Sequence, residues 1–556
     1  MCIGHAHSTG FYNRVFSLQV ATILAPVLIG LVLAVPSASA QLGEQPAVAE
    51  HLDQAAIDAG EISLDDLFER GQLLFDARFN RLDGQGRPAS TGGGAPREPD
   101  EPDFSRTSAP DSNSCSGCHA QPRSGGAGDF VANVFVLAQT LDPVTTSIDP
   151  NFSNERNTLG MMGAGPIEML AREMSDELIA IRQAAAQQAA DSGEAVTMNL
   201  VAKGVDFGTI TVLPDGLVDP SGIEGVDWDL IVKPFHQKGA VVSLREFTNN
   251  AVNHHHGMQS TERFGLDVDA DQDGVVNELT VGDITAVTIF QAALNTPGQV
   301  IPEQFQTEVA EGTQLFQAIG CANCHIPAMT LISPLFTEPN PYNPAGNLTP
   351  GETAQPFAFD MTLDGPKPRL ESDGAGGAVV RAFTDLKRHN LNDEDYAFFD
   401  NELVPQGKLN GFAPESDFTI PAPVRPTNEF LTRKLWDVGN SPPFGHRGDL
   451  TLMSEAIYNH GGDARSARDA FFALSEDQQD RVIEFLKCLQ IVPEGSDLVT
   501  IAAADDGGSG DGDGGDGGAG GAAMCGALGG MPLLMMVVGM FTLRLGFVTR
   551  RPCHRP

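Results

Sequence analysis

Positive charge is scarce in this chain: 34 Lys and Arg stand against 73 Asp and Glu, for a formal net charge of −39. That balance excludes the clustered cations with which proteins meet a phosphate backbone, so no nucleic-acid partner is expected. The acidity is spread along the chain and reads as a solvated surface, one that can also steer a basic partner. Cysteine is sparse too, eight among 556 residues. Four of them fall in two Cys-x-x-Cys pairs. Cys2 lies in the leader and Cys488, Cys525 and Cys553 remain, so no disulfide framework is implied. Only two tryptophans are present, Trp228 and Trp436; the ordinary reading of each is core. Long apolar runs occur only near the two ends.

Those ends read as addresses. Arg14 precedes an apolar run, residues 15–35, and Ala38-Ser39-Ala40 offers a small-residue cleavage site, so residues 1–40 are expected to be an export signal. Residues 496–523 are a linker; its 505–522 stretch is almost only Asp, Gly, Ser and Ala and cannot build a core. Residues 524–556 hold Met524-Cys525-Gly526, an apolar run over 531–548 and Arg550-Arg551. The order resembles bacterial C-terminal sorting tails, and the run is about long enough to cross a bilayer. The expectation is an exported chain, periplasmic or at the cell surface, that meets the membrane through this tail.

What the chain does have is Cys321-Ala-Asn-Cys324-His325 and, upstream, Cys115-Ser-Gly-Cys118-His119. Cys-x-x-Cys-His is the attachment pattern of c-type haem: two thiols form thioethers with the porphyrin and the adjacent histidine becomes an axial iron ligand. A pair of redox dithiols, or one zinc held by four thiolates, would also use these cysteines, but neither explains a histidine after each pair. The expectation is two covalently attached haems, with His119 and His325 as iron ligands.

The rest of the mature chain is expected to be mainly α, with two cytochrome c-like haem domains, a partly β insertion and long loops. The first unit spans 41–300 and the second 301–495. Leu64, Leu67, Phe68, Gly71, Leu74 and Phe75 share a helix face after a Ser63/Asp66 cap. Gly71-Gln-Leu-Leu-Phe75 echoes Gly312-Thr-Gln-Leu-Phe316, a weak internal repeat ahead of each haem motif. Residues 167–190 read as helix and 198–235 as partly β. Asp269, Asp271, Asp273 and Gly274 match the first half of a calcium loop, with Glu278 available to close the shell. The alternative is an acidic capped turn. A last helix starts at Ser475 with Gln478 as its capping partner.

The segment Ser441-Pro-Pro-Phe-Gly-His446-Arg-Gly through His460-Gly-Gly resembles the C-terminal part of the bacterial di-haem cytochrome c peroxidases and of the enzyme that matures methylamine dehydrogenase. The branch it resembles more closely is the di-haem oxidoreductases, also called thiol oxidoreductases. The similar stretches are both haem motifs, residues 243–258, Asp385-Leu-Lys-Arg-His389 and residues 428–490. The chain departs from that branch at His389-Asn-Leu-Asn392 and His446-Arg-Gly448. The resemblance implies that the residue fourteen positions after His446, which is His460, is the second iron ligand opposite His325.

The first haem is then the candidate reactive site. A peroxidase needs a base that moves a proton between the two oxygens. His254, His255 and His256 offer that chemistry, with Glu168 and Arg245 as charged neighbours. The leading expectation is a peroxidase-like oxidoreductase. It would take electrons from a soluble donor such as a small cytochrome or cupredoxin and pass them to peroxide or another small oxidant. Two rivals are a di-haem oxygenase acting on an apolar substrate and a non-catalytic electron-transfer protein.

Overall fold

The computed structural model of the chain describes residues 44–86, 112–133, 155–270, 273–394 and 428–502. The expected signal, most of the linker, the C-terminal tail and Asp271 lie outside these residues. Among the described residues no helix is long and apolar enough to cross a membrane. The described residues form ten α-helices in chain order: α1 (Gln54–Asp58), α2 (Leu64–Asp76), α3 (Ala164–Ser192), α4 (Leu244–Ala251), α5 (Thr261–Phe264), α6 (Val281–Ala293), α7 (Gln306–Ala318), α8 (Met453–Tyr458), α9 (Arg465–Phe472) and α10 (Glu476–Lys487).

Two helix pairs carry the Cys-x-x-Cys-His motifs. In the first, α2 packs on α6, and in the second α7 packs on α10. Each pair closes at a glycine, because no side chain fits there. A Cβ at Gly71 would lie 2.1 Å from the Ala286 carbonyl oxygen, and one at Gly312 would lie 2.0 Å from that of Arg481. Reciprocal capping boxes at Ser63/Asp66, Thr280/Asp283 and Ser475/Gln478 start α2, α6 and α10, each satisfying backbone donors that would otherwise be unpaired. The repeat read from the sequence is thus a packing repeat as well.

The remainder is mixed, which corrects the mainly α expectation. The described residues form six sheets of two or three strands. The expected β insertion is a three-stranded antiparallel sheet, Val196–Ala202, Val205–Val212 and Val218–Asp219, packed on α3. The Pro- and Gly-rich stretch after the second motif is not all loop. It folds into short antiparallel pairs, Leu335–Glu338 with Phe357–Asp360 and Ala378–Val380 with Met329–Leu331. A buried irregular segment would leave its peptide groups unpaired, and these ladders pair them.

The core does not divide at residue 300. Leu331, Phe336, Phe359, Met361 and Leu386 belong to one apolar cluster with Phe75, Leu170, Phe207 and Phe290. The second cluster is smaller, built from Val309, Phe316, Phe383, Phe471, Val482, Phe485 and Leu486. The second motif therefore hangs on a compact four-helix core, while the chain that follows it packs back onto the first half.

Candidate functional site

One cavity of about 480 Å³ is lined by both Cys-x-x-Cys-His motifs. Its apolar walls include Phe75, Met161, Phe247 and Val287 on the first side and Phe316, Leu435, Ile457 and Leu486 on the second. Each motif begins as a single 3₁₀ turn, Cys115–Gly117 or Cys321–Asn323, and the histidine amide closes back on the carbonyl of the first cysteine at 3.0 Å in both.

The histidines are oriented by their second nitrogen. His119 Nδ1 lies 3.0 Å from the Leu159 carbonyl oxygen, and His325 Nδ1 lies 3.0 Å from that of Phe383. His460, at the C-terminal end of α8, places Nδ1 2.6 Å from the Ala456 oxygen. A carbonyl can only accept, so each Nδ1 carries the proton, the tautomer in which Nε2 is the ligating nitrogen. Burial pushes His119 and His325 down to about 4, with His460 adding to the effect at His325. His460 is itself held below its usual value, mainly by burial. All three imidazoles are neutral at neutral pH, the form that ligates.

The cysteines are unpaired with one another. Burial raises Cys115 to about 12 and Cys321 to about 11, so neither is a ready thiolate for dithiol exchange. Among the described residues the four sulfurs do not gather into one cluster. The only candidate grouping there is Cys324, Asp385 and His389.

The histidine run falls on one π-helical turn, Val252–His256, that continues α4. His255 and His256 line the cavity. His256 is already engaged: Nδ1 lies 2.7 Å from the Ser112 carbonyl and Nε2 lies 3.7 Å from Cys115 Sγ. The backbone of His254 belongs to the same turn.

Glu168 and Arg245 are not among the cavity-lining residues. Glu168, on α3, bonds Arg172 and Asn340 and accepts the Leu244 amide at 2.8 Å. Arg245, on α4, pairs with Glu262 and Glu338 and donates to Thr285. The structure therefore commits each of them to buried ion pairs of its own, Glu168 with Arg172 and Arg245 with Glu262 and Glu338. In the acidic turn, Asp269 accepts the Asp273 and Gly274 amides, and Asp273 accepts that of Val275. Glu278 is buried and accepts the Gln259 amide.

Three further cavity residues were not among the expected ligands or proton-moving groups, although two of them, His389 and His446, fall in the stretches that carry the resemblance. His389 bonds Asp385 at 2.8 Å, and that carboxylate together with Cys324 overcomes burial to hold it up at about 10. His446 faces the Phe430 ring at 4.9 Å and is pushed far down by burial, with Arg156, Arg447 and Lys238 adding to it. His236 comes from a turn with no local pattern to announce it. Trp436 is buried behind the wall, against Gly163 and next to cavity-lining Leu435.

No family model and no curated protein matches the chain. Among solved structures, hydrazine synthase of Kuenenia stuttgartiensis is similar over 86% of this chain and 100% of its own, at 12% identity and a TM-score of 0.34. A MauG-like protein associated with microbial copper homeostasis is similar over 50% of this chain and 76% of its own, at 15% identity and a TM-score of 0.22. Both scores lie below the level at which two chains share a fold, so the reading of the site rests on its own geometry.

Proposed function

We propose that the chain is an exported di-haem c oxidoreductase of the peroxidase-like kind. One observation carries the reading: both Cys-x-x-Cys-His turns line a single apolar cavity that His460 also lines, and Nδ1 of His119, His325 and His460 is each held by a backbone carbonyl.

Cys115, Cys118 and His119 would hold one haem, and Cys321, Cys324 and His325 the other, with His460 as the further ligand. Haem c, when bound there, supplies a redox-active iron. The chain's own residues do the rest. The carbonyls of Leu159, Phe383 and Ala456 fix the ligand tautomers. Phe75, Phe247, Phe316 and Leu486 exclude water, which strengthens every polar contact inside. His255 faces the first compartment and can hold a proton there.

The first compartment is the reactive one in this reading, because His325 and His460 would both serve the second haem, whereas His119 is the one ligand assigned to the first. Electrons come from a reduced small cytochrome or cupredoxin, and the oxidant is a peroxide: H₂O₂, two electrons and two protons give two waters. The mature protein should carry two haems per chain, one low-spin and one accessible to small ligands. It should oxidise a reduced donor when peroxide is added. Oxygen uptake with an apolar polyene and no peroxide turnover would favour the oxygenase instead. Two low-spin haems inert to cyanide and carbon monoxide would favour a plain carrier.

A further inference from the structure

The hairpin tip His236-Gln237-Lys238-Gly239 is held from several sides. Phe235 and Val241 form its closing bridge, and the Gly239 amide returns to the His236 carbonyl at 3.0 Å. The Leu431 amide bonds the Gln237 carbonyl at 2.9 Å, Lys238 Nζ bonds the Glu429 carbonyl at 3.0 Å, and Gln237 Nε2 reaches the Asn157 carbonyl at 3.3 Å. Within this frame His236 adopts φ = +61°, the left-handed region that a residue with a Cβ rarely enters. Such a conformation persists only where its surroundings over-determine it, and it clusters at functional sites.

The frame aims the imidazole into the first compartment. His236 lines the cavity together with Phe235, Phe247 and His255. Its ring stands edge-on to Phe247 at 5.4 Å. The rings of His119, His256, His325 and His460 each spend Nδ1 on a backbone carbonyl, and His389 spends Nε2 on Asp385. His236 has no hydrogen bond or ion pair from either ring nitrogen among the described residues. The neighbouring Gln237 Oε1 is likewise a buried acceptor with no partner there. Burial, with His255 and Arg156 adding, pushes His236 down to about 4, so the ring is neutral, with one N–H to give and one lone pair to accept.

Resting on the peroxidase-like reading above, we propose that His236 is a catalytic residue of the first compartment, the group that takes a proton from one oxygen of bound hydrogen peroxide and returns it to the other. Water lost this way is a good leaving group, whereas hydroxide is not. The O–O bond breaks, two electrons enter from the reduced donor and two solvent protons complete the second water. His236 ends with the proton count it began with.

The test compares the loaded wild-type protein with His236→Ala and His236→Gln. Fluoride binding to the ferric protein is followed by absorption, and peroxide turnover is measured with a reduced donor. The haem-to-chain ratio and the low-spin signal of the second haem serve as the folding control. Bound fluoride accepts a hydrogen bond, so its affinity should fall about tenfold in the alanine variant and stay within about threefold of wild type in the glutamine variant, whose amide can donate. Turnover should fall by about 10²–10⁴-fold in both, since an amide cannot shuttle a proton. Native fluoride affinity in the alanine variant, or native turnover in either, overturns the proposal. A wild type that binds fluoride through His236 but consumes no peroxide overturns the peroxidase reading instead, so the two failures are told apart.

Discussion

The phenyl ring of Phe316 stands 6.3 Å from the imidazole of His325, tilted by 52°. Phe75 stands at 6.3 Å and 53° from His119. Each phenylalanine lies four residues after the glycine that lets its helix meet a partner, and each touches a partner phenylalanine, Phe290 at 5.2 Å or Phe485 at 5.4 Å. The two motifs are therefore supported by the same device twice: a close helix crossing that sets an aromatic ring against the histidine. Gly312→Ala should force α7 away from α10 and destabilise the second unit by about 1–3 kcal/mol, the usual cost of overpacking. A thermal melt of the loaded protein checks it, and the spectrum of the second haem should broaden or shift while that of the first holds.

His460→Ala should turn one low-spin haem high-spin and stop electron supply, with both haems still attached. The reason is local: His460 has its Nδ1 tied to Ala456 and lines the cavity that His325 also lines. His446→Ala should leave the low-spin signal in place, because His446 packs on Phe430 in a turn whose carbonyl takes the Asn157 amide. EPR on the two variants decides which histidine is the ligand, and reversed effects would reassign it.

Acid should loosen the first unit through Asp283. Burial raises this carboxyl, but hydrogen bonds from His51 and the amides of Leu52 and Thr280 outweigh it and hold the group below its ordinary value. A depressed carboxyl lends stability that is complete above its unfolded pKa, about 3.9, and is lost as pH falls through the lower folded value. Asp283→Asn should cost about 1.5–3 kcal/mol at neutral pH and flatten the melting curve's dependence on pH between 5 and 2. An unchanged acid limb would show that Asp283 does not set it.

The legible part of the molecule was the part written in local chemistry. Ser63/Asp66 and Ser475/Gln478 announced their helices by capping, and the echo of Gly71–Phe75 in Gly312–Phe316 announced the repeat. The motif cysteines and histidines named themselves by spacing. The cavity's other members were illegible for a physical reason: His236, His389 and His446 come from turns or short strands with no period, and only the tertiary fold carries them to one place. The same limit misplaced Glu168 and Arg245. Charged residues on an apolar helix look like site chemistry in one dimension, and whether a partner waits across the interface is not written nearby.

Arg245 gives that distinction a direct trial. It is fully buried, and its guanidinium bridges Glu262 and Glu338 while also reaching Thr285. Burial lowers the guanidinium's proton affinity, but the two carboxylates outweigh it and raise it overall; Glu338 is raised, chiefly by burial. Arg245→Met fills the space and leaves two buried carboxylates facing each other without a cation. Breaking a buried network from one side typically costs about 3–5 kcal/mol, far more than the pair is worth against an apolar replacement. Replacing all three, with Glu262→Gln and Glu338→Gln added, should recover much of that loss. If Arg245 acts only through this network, chemical melts will register both changes while the visible spectrum, fluoride affinity and peroxide turnover of the folded protein stay at wild-type values. A shifted first-haem spectrum in Arg245→Met, with the melt unchanged, would instead place the guanidinium at the reacting group.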